Sequence, residues 1–314
     1  MRMKKILNYL ETIHRFFSLF ILLLMASSFA VGIYIVFLSE TGLKSMNEKI
    51  YSIPFFVLGS SFWVHIDINV WSLFLILWSI YLFLFLISLK GLRKDFKPLI
   101  QPFGSKFNAT INPTVSGFSS LVVVTELIRN LQNFVGIETG SLPKTNPIVD
   151  LTKYSIAPLT EEFGFRMSII GLASMLMLIS IREKEGLLSA LWKPVVRDKT
   201  TKKFLYMLIV VSSILFGLAH IFGGWKLGKF TEAFAVGFVA GLVYINYGFQ
   251  APVILHWSFN YFASTFYTLG SFINSNLPSE ILNYSVYPFG CITLIRYGLM
   301  FYIKLWKKQL IPKS

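Results

Sequence analysis

Long apolar runs govern what this chain can fold into. Segments 18–38, 70–89, 154–181, 204–222, 251–270 and 287–305 each supply the roughly 20 mostly apolar residues that one helix needs to cross a bilayer. A further segment, 232–247 (EAFAVGFVAGLVYINY), is shorter but strongly apolar. Its Gly237 and Gly241 have the small-xxx-small spacing that lets membrane helices approach closely. Composition agrees, with 54% hydrophobic and only 14% charged residues, against about 25% charged in soluble chains. No polar stretch exceeds about 35 residues, which is too short for an independent core. Residues 1–314 are therefore expected to form one integral membrane domain. The first run is longer than the ~7–15-residue core of a secretory signal and reads as a retained helix. The single cysteine, Cys291, excludes an internal disulfide framework and a multi-cysteine metal site.

A net charge of +14 in a soluble protein would suggest nucleic acid. Here the basic residues gather in loops that orient the helices, and no nucleic-acid partner is expected. The loop 90–106 holds Lys90, Arg93, Lys94, Lys97 and Lys106, and 182–203 holds Arg182, Lys184, Lys193, Arg197, Lys199, Lys202 and Lys203. The tail adds Lys304, Lys307, Lys308 and Lys313. By the positive-inside rule these segments and the N-terminus, with Arg2, Lys4 and Lys5, belong to the cytoplasm. Segment 114–136 is ambiguous, because its second half carries Glu126, Arg129, Asn130 and Gln132. Only if it crosses do all four basic regions lie on one side. The expected fold is all-α and polytopic, with about eight transmembrane helices and both termini cytoplasmic. The 53–64 run is too short to add a span and is assigned to the outer interface.

Within 154–181, YSIAPLTEEFGFRMSIIGLASMLMLISI, stand Glu161, Glu162 and Arg166. Each charge at membrane depth costs roughly 2.5–3.5 kcal/mol on the lenient insertion scale, so three together demand a role. Glu162 and Arg166, four apart with the acid N-terminal, suit an ion pair on one helix face. Glu161 is rotated by about 100° and remains available. Two of the four histidines, His220 and His256, also fall in apolar segments, and Asn260 shares a face with His256. His14 and His65 are read as lying near interfaces or in polar surroundings. A carboxylate and a histidine in a low-dielectric cavity can hold and deprotonate water, while a histidine and an amide can stabilise the resulting oxyanion. Alternatively, Glu161, His220 and His256 could bind a zinc ion that activates the same water. The residues leave both assignments open.

APLTEEFGFR, FGLAH and APVILHWSFN resemble, in order, the three motifs of the type II CAAX prenyl endopeptidase and bacteriocin-processing (CPBP, Abi) family of intramembrane proteases. All six polar positions match, and the resemblance covers about 154–270, the expected protease core. It implies that Glu161 is the water-activating base, helped by His220. It further implies that His256 and Asn260 stabilise the oxyanion, that Glu162 and Arg166 support the site, and that a metal-independent mechanism is favoured over zinc. The implied partners are the lipid bilayer and a membrane-associated protein or peptide, prenylated near its C-terminus or, in bacterial relatives, a bacteriocin precursor or other membrane substrate. Met167 departs from the family's usual Gly after the arginine, which bears on substrate type more than on catalysis. Polar residues at membrane depth also line transporters, but no internal repeat of the transporter kind is evident. A silent scaffold or immunity protein is the third reading.

Overall fold

The structure is a computed structural model and describes residues 2–96, 108–141, 143, 145–183 and 185–309. Helix α1 (Arg2–Ile33) continues through a π-helical turn, Tyr34–Leu38, to the short α2 (Glu40–Lys44), capped by Ser39. Strands β1 (Lys49–Val57) and β2 (Ser60–Asn69) follow as an antiparallel hairpin. Its two-residue turn, Leu58 and Gly59, has positive φ at both positions, the backbone twist that suits a tight hairpin. Then come α3 (Val70–Ser88), α4 (Leu92–Phe96), α5 (Ile111–Phe134) and α6 (Pro147–Glu162). Helix α6 starts on a built cap: the Asn146 side chain accepts from the Ile148 N–H at 2.9 Å, with proline at the first helical position where its missing N–H costs nothing. A π-helical stretch, Phe163–Gly171, joins α6 to α7 (Leu172–Ser180), which is followed by α8 (Leu187–Trp192), α9 (Lys199–Phe222) and α10 (Gly228–Tyr247). Helix α11 (Gln250–Trp257) runs through a second such stretch, Ser258–Phe262, into α12 (Ala263–Phe272), and α13 (Leu277–Gln309) ends the described chain.

The all-α, multi-pass expectation holds, with two refinements. Among the described residues, seven helical segments are long and apolar enough to cross a membrane: Tyr9–Leu38, Val70–Ser88, Ile111–Phe134, Pro147–Ser180, Lys199–Phe222, Gly228–Tyr247 and Leu277–Ile303. The ambiguous 114–136 is among them, as α5. The expected eighth span, 251–270, lies in a continuous helix over 250–272 but is not among the seven. It carries His256, Ser258, Asn260, Ser264, Thr265 and Thr268, and Gln250–Ser258 is buried throughout. His256, Ser258 and Thr265 are buried in protein, and Asn260, Ser264 and Thr268 are half-buried. The second refinement is the hairpin, which replaces the simple interfacial run expected at 53–64. Of the basic residues used for orientation, Lys97, Lys106, Lys184 and Lys313 lie outside the described residues, as do the side chains of Arg2, Lys4, Lys5, Lys304, Lys307 and Lys308.

Two close approaches position the motif helices. Helices α9 and α10 pack through glycine: a Cβ at Gly241 would stand 2.7 Å from Ile209 Cγ2, and one at Gly217 2.8 Å from Phe230 Cδ2. The small-residue spacing read from the sequence is thus a packing device. The hairpin tip docks on the π-helical stretch after α6. The Gly59 N–H donates to the Gly164 carbonyl at 3.2 Å, and the Leu58 N–H to Ser168 Oγ at 2.8 Å. A Cβ at Gly164 would fall 2.1 Å from Phe56 Cβ. Overpacking of this kind costs about 1–3 kcal/mol. Gly241→Ala is therefore expected to lower the melting temperature in detergent, and Gly298→Ala, where a Cβ meets nothing within 4 Å, to leave it unchanged.

Candidate active site

Glu162 and Arg166 are both completely buried, with Arg166 Nε 3.1 Å from Glu162 Oε2. None of the arginine's nitrogens is aligned for a hydrogen bond, so the pair is held by charge. The guanidinium also lies 4.4 Å from the centre of the Phe216 ring, within cation–π range. Gly237 gives it room, since a Cβ there would lie 3.2 Å from Arg166 Nη2. The second carboxylate oxygen of Glu162 meets His256 Nδ1 at 2.9 Å. With its proton on Nδ1, the imidazole donates to Glu162 and turns Nε2 toward Asn260 and Glu161. Glu162 is therefore engaged on both oxygens, and the ion pair expected from the i, i+4 spacing is present.

Glu161 is the freer carboxylate. Its side chain is 16% exposed and its Oε2 lies 3.8 Å from His256 Nε2. That oxygen is buried and has no hydrogen-bond partner, an arrangement that leaves an acceptor ready for a ligand or water. Glu161 and His220 line one cleft of about 720 Å³, together with Phe165, Phe216 and hairpin residues that include Phe56 and Ser61. His220 sits two residues before the end of α9, and its Nδ1 meets the Phe216 carbonyl at 2.9 Å. In that tautomer the ring donates from Nδ1 and presents Nε2 as an acceptor. Asn260 Nδ2 lies 3.2 Å from the Tyr154 carbonyl and 3.4 Å from His256 Nε2. A second, smaller hollow of about 130 Å³ is lined by His220, His256 and Asn260. Phe216 and His220 line both hollows, so the three motif regions meet at one place. Two of the three described π-helical stretches begin beside motif residues, after Glu162 and shortly after His256, and such stretches are frequent at functional sites.

The sequence reading missed several neighbours. Glu232, 2% exposed, lines the smaller hollow with Arg129 and Lys229. Arg129 Nε and Nη2 donate to its two oxygens at 3.0 and 3.1 Å, and Thr139 Oγ1 adds a third bond at 3.0 Å. Glu126, three residues before Arg129 on the same helix, meets it at 3.5 Å as the secondary contact. The signal was available, because Glu232 opens an otherwise apolar span. His14 does lie in polar surroundings, 3.1 Å from Ser116 Oγ, but it is completely buried. The flanking Glu11 accepts from Arg296 Nε at 2.6 Å. The i, i+3, i+4, i+7 set Glu11, His14, Arg15, Ser18 marks a polar helix face. Met167 packs against the hydrophobic core and lines neither hollow. As for zinc, no group of three His, Cys, Asp or Glu side chains among the described residues is gathered for a metal ion. His256 commits Nδ1 to Glu162, which leaves its Nε2 for any further contact.

Residues 146–262 match the family model described as type II CAAX prenyl endopeptidase Rce1-like. No curated protein and no solved structure matches the chain. The matched stretch opens at the Asn146 cap of α6 and closes at the end of the π-helical turn that holds Asn260, and so contains every residue of the constellation above. On that match and on the apolar helices around it, the chain is an integral, multi-pass membrane protein that carries an Rce1-like segment over residues 146–262.

Proposed function

We propose that this protein is an intramembrane endopeptidase in which Glu161 activates water without a metal. The observation that carries the reading is the unequal treatment of two adjacent carboxylates: Glu162 has Arg166 at 3.1 Å and a hydrogen bond with His256 at 2.9 Å, while Glu161 Oε2 has no hydrogen-bond partner and lies 3.8 Å from His256 Nε2. A water between Glu161 and the Nε2 acceptor of His220 loses a proton to the glutamate as its oxygen attacks the peptide carbonyl. The carbonyl oxygen takes the negative charge, facing Asn260 Nδ2 and His256 Nε2. Asn260 donates as it stands, and His256 donates from Nε2 when it is imidazolium, with Glu162 balancing the charge. Glu161 then passes its proton to the amide nitrogen, the C–N bond breaks, and a carboxylic acid and an amine leave. The substrate is a membrane-associated peptide or protein. The prenylated C-termini of the family's name are the first class to test, beside unmodified membrane peptides.

Glu161→Gln is expected to lower kcat by about 10²–10⁴-fold, the usual scale for loss of a general base, with an unchanged melting temperature. Wild-type rates in purified protein would reject the mechanism. Arg166→Ala leaves the Glu162 charge buried and unpaired, which costs about 3–5 kcal/mol. Here the melting temperature should fall together with activity, and a stable, inactive Arg166→Ala protein would contradict the supporting role. A chelator should leave the rate of peptide cleavage, read by mass spectrometry, unaltered; loss of cleavage restored by zinc would replace the proposed water activation with a metal-bound one.

A further inference from the structure

The two ends of the bundle differ in charge, and the catalytic cleft opens at only one of them. At the first end, hydrogen bonds tie three connections together. Val70 N donates to the Glu48 carbonyl at 3.0 Å, Asn146 Nδ2 to Ser45 Oγ at 2.8 Å, and Gly228 N to the Glu138 carbonyl at 2.9 Å. Connections 39–69, 135–146 and 223–227 thus share this end with the hairpin. The mouth of the larger cleft is here too, bordered by Ser61, Trp63, Phe222 and Trp225. His220 lies at this end of α9, whose opposite end begins at Lys199 in the basic connection.

The described part of these three connections holds three basic residues, Lys44, Lys49 and Lys226, each paired with a carboxylate, Glu40, Asp67 and Glu138. The opposite end carries Lys90, Arg93 and Lys94 beside α4, and six more described lysines and arginines in 182–203. Short loops with such an excess stay in the cytoplasm. The hairpin gives a second, independent indication. Strand β2 is exposed from Ser60 to His65, and an open sheet edge does not face hydrocarbon. The cleft it borders therefore meets water at this end.

We infer that the active site opens on the non-cytoplasmic face, and that the substrate is an extended peptide segment presented from that side, with an apolar side chain against the hairpin. Pro54 pairs with Trp63 and Phe56 with Ser61 across the strands, so these four project from one face of the sheet, and all four line the cleft opposite Glu161 and His220. The face is an aromatic and apolar wall with one hydroxyl. A prenylated cysteine with upstream basic residues is a cytoplasmic-leaflet anchor and would approach from the wrong side. The substrate class that fits is an unprenylated, translocated or membrane-anchored peptide whose scissile bond lies outside. This assignment of substrate rests on the proteolytic reading; the assignment of the opening does not.

Two measurements separate them. In a Cys291→Ser background, Ser61→Cys at the cleft mouth and Lys193→Cys in the basic connection, both at exposed positions, are treated with a membrane-impermeant maleimide in intact cells. Ser61→Cys is expected to label, and Lys193→Cys only after permeabilisation; the reverse pattern overturns the orientation. A fluorogenic apolar peptide with a charged, impermeant tail is then offered to oriented vesicles of the unmodified protein. Cleavage by right-side-out vesicles, and by inside-out vesicles only after detergent, supports the proposal. Cleavage by intact inside-out vesicles alone overturns the substrate side. Absence of cleavage even in detergent overturns the proteolytic reading and its substrate, while the labelling result still decides where the cleft opens.

Discussion

The buried contact between Glu162, Arg166 and His256 is the interaction on which the rest of the site depends. Two full charges without solvent access are costly to place in a bilayer, and their attraction offsets that cost only with close geometry and further partners. Here the partners come from three other elements: the Phe216 ring on α9, the missing side chain at Gly237 on α10, and the imidazole on α11. The ion pair therefore fixes how four helices sit against one another. It also sets the tautomer of His256, and with it the direction in which Nε2 points.

From that arrangement follows the different setting of two neighbouring glutamates. One turn of about 100° per residue puts Glu162 into protein and Glu161 toward the cleft. The hairpin then does for the cleft what a helix would not. It supplies a wall whose alternate side chains face the carboxylate, and its tip is held to the motif helix by hydrogen bonds to Gly164 and Ser168. Glycine at 164 is what permits the strand backbone to come so near.

Much of this was legible in the chain. The membrane class followed from the apolar runs, and seven of the eight expected spans are long, apolar helices. The Glu162–Arg166 pair followed from spacing alone, as did the close packing at Gly237 and Gly241. The match to the Rce1-like family model falls on the segment that carries the three motifs. The hairpin was hidden because IYSIPFFVLGSSFWVHIDIN reads locally as a short apolar run, and strand pairing depends on a partner strand beyond the turn. The burial of His14 was hidden for a similar reason: its partners Ser116 and Phe289 lie about a hundred or more residues away in sequence.

The sequence by itself determined that helices cross a bilayer, which residues are polar at depth and which pairs share a helix face. These are properties of periodicity and transfer free energy, and both are local. Only the tertiary structure decided that His256 belongs to Glu162 before it belongs to Glu161, that Glu232 anchors Arg129, and that a β-hairpin borders the cleft. Each of these joins side chains on different elements, and what selects among the possible partners is the need to satisfy buried charge and backbone in a medium without water.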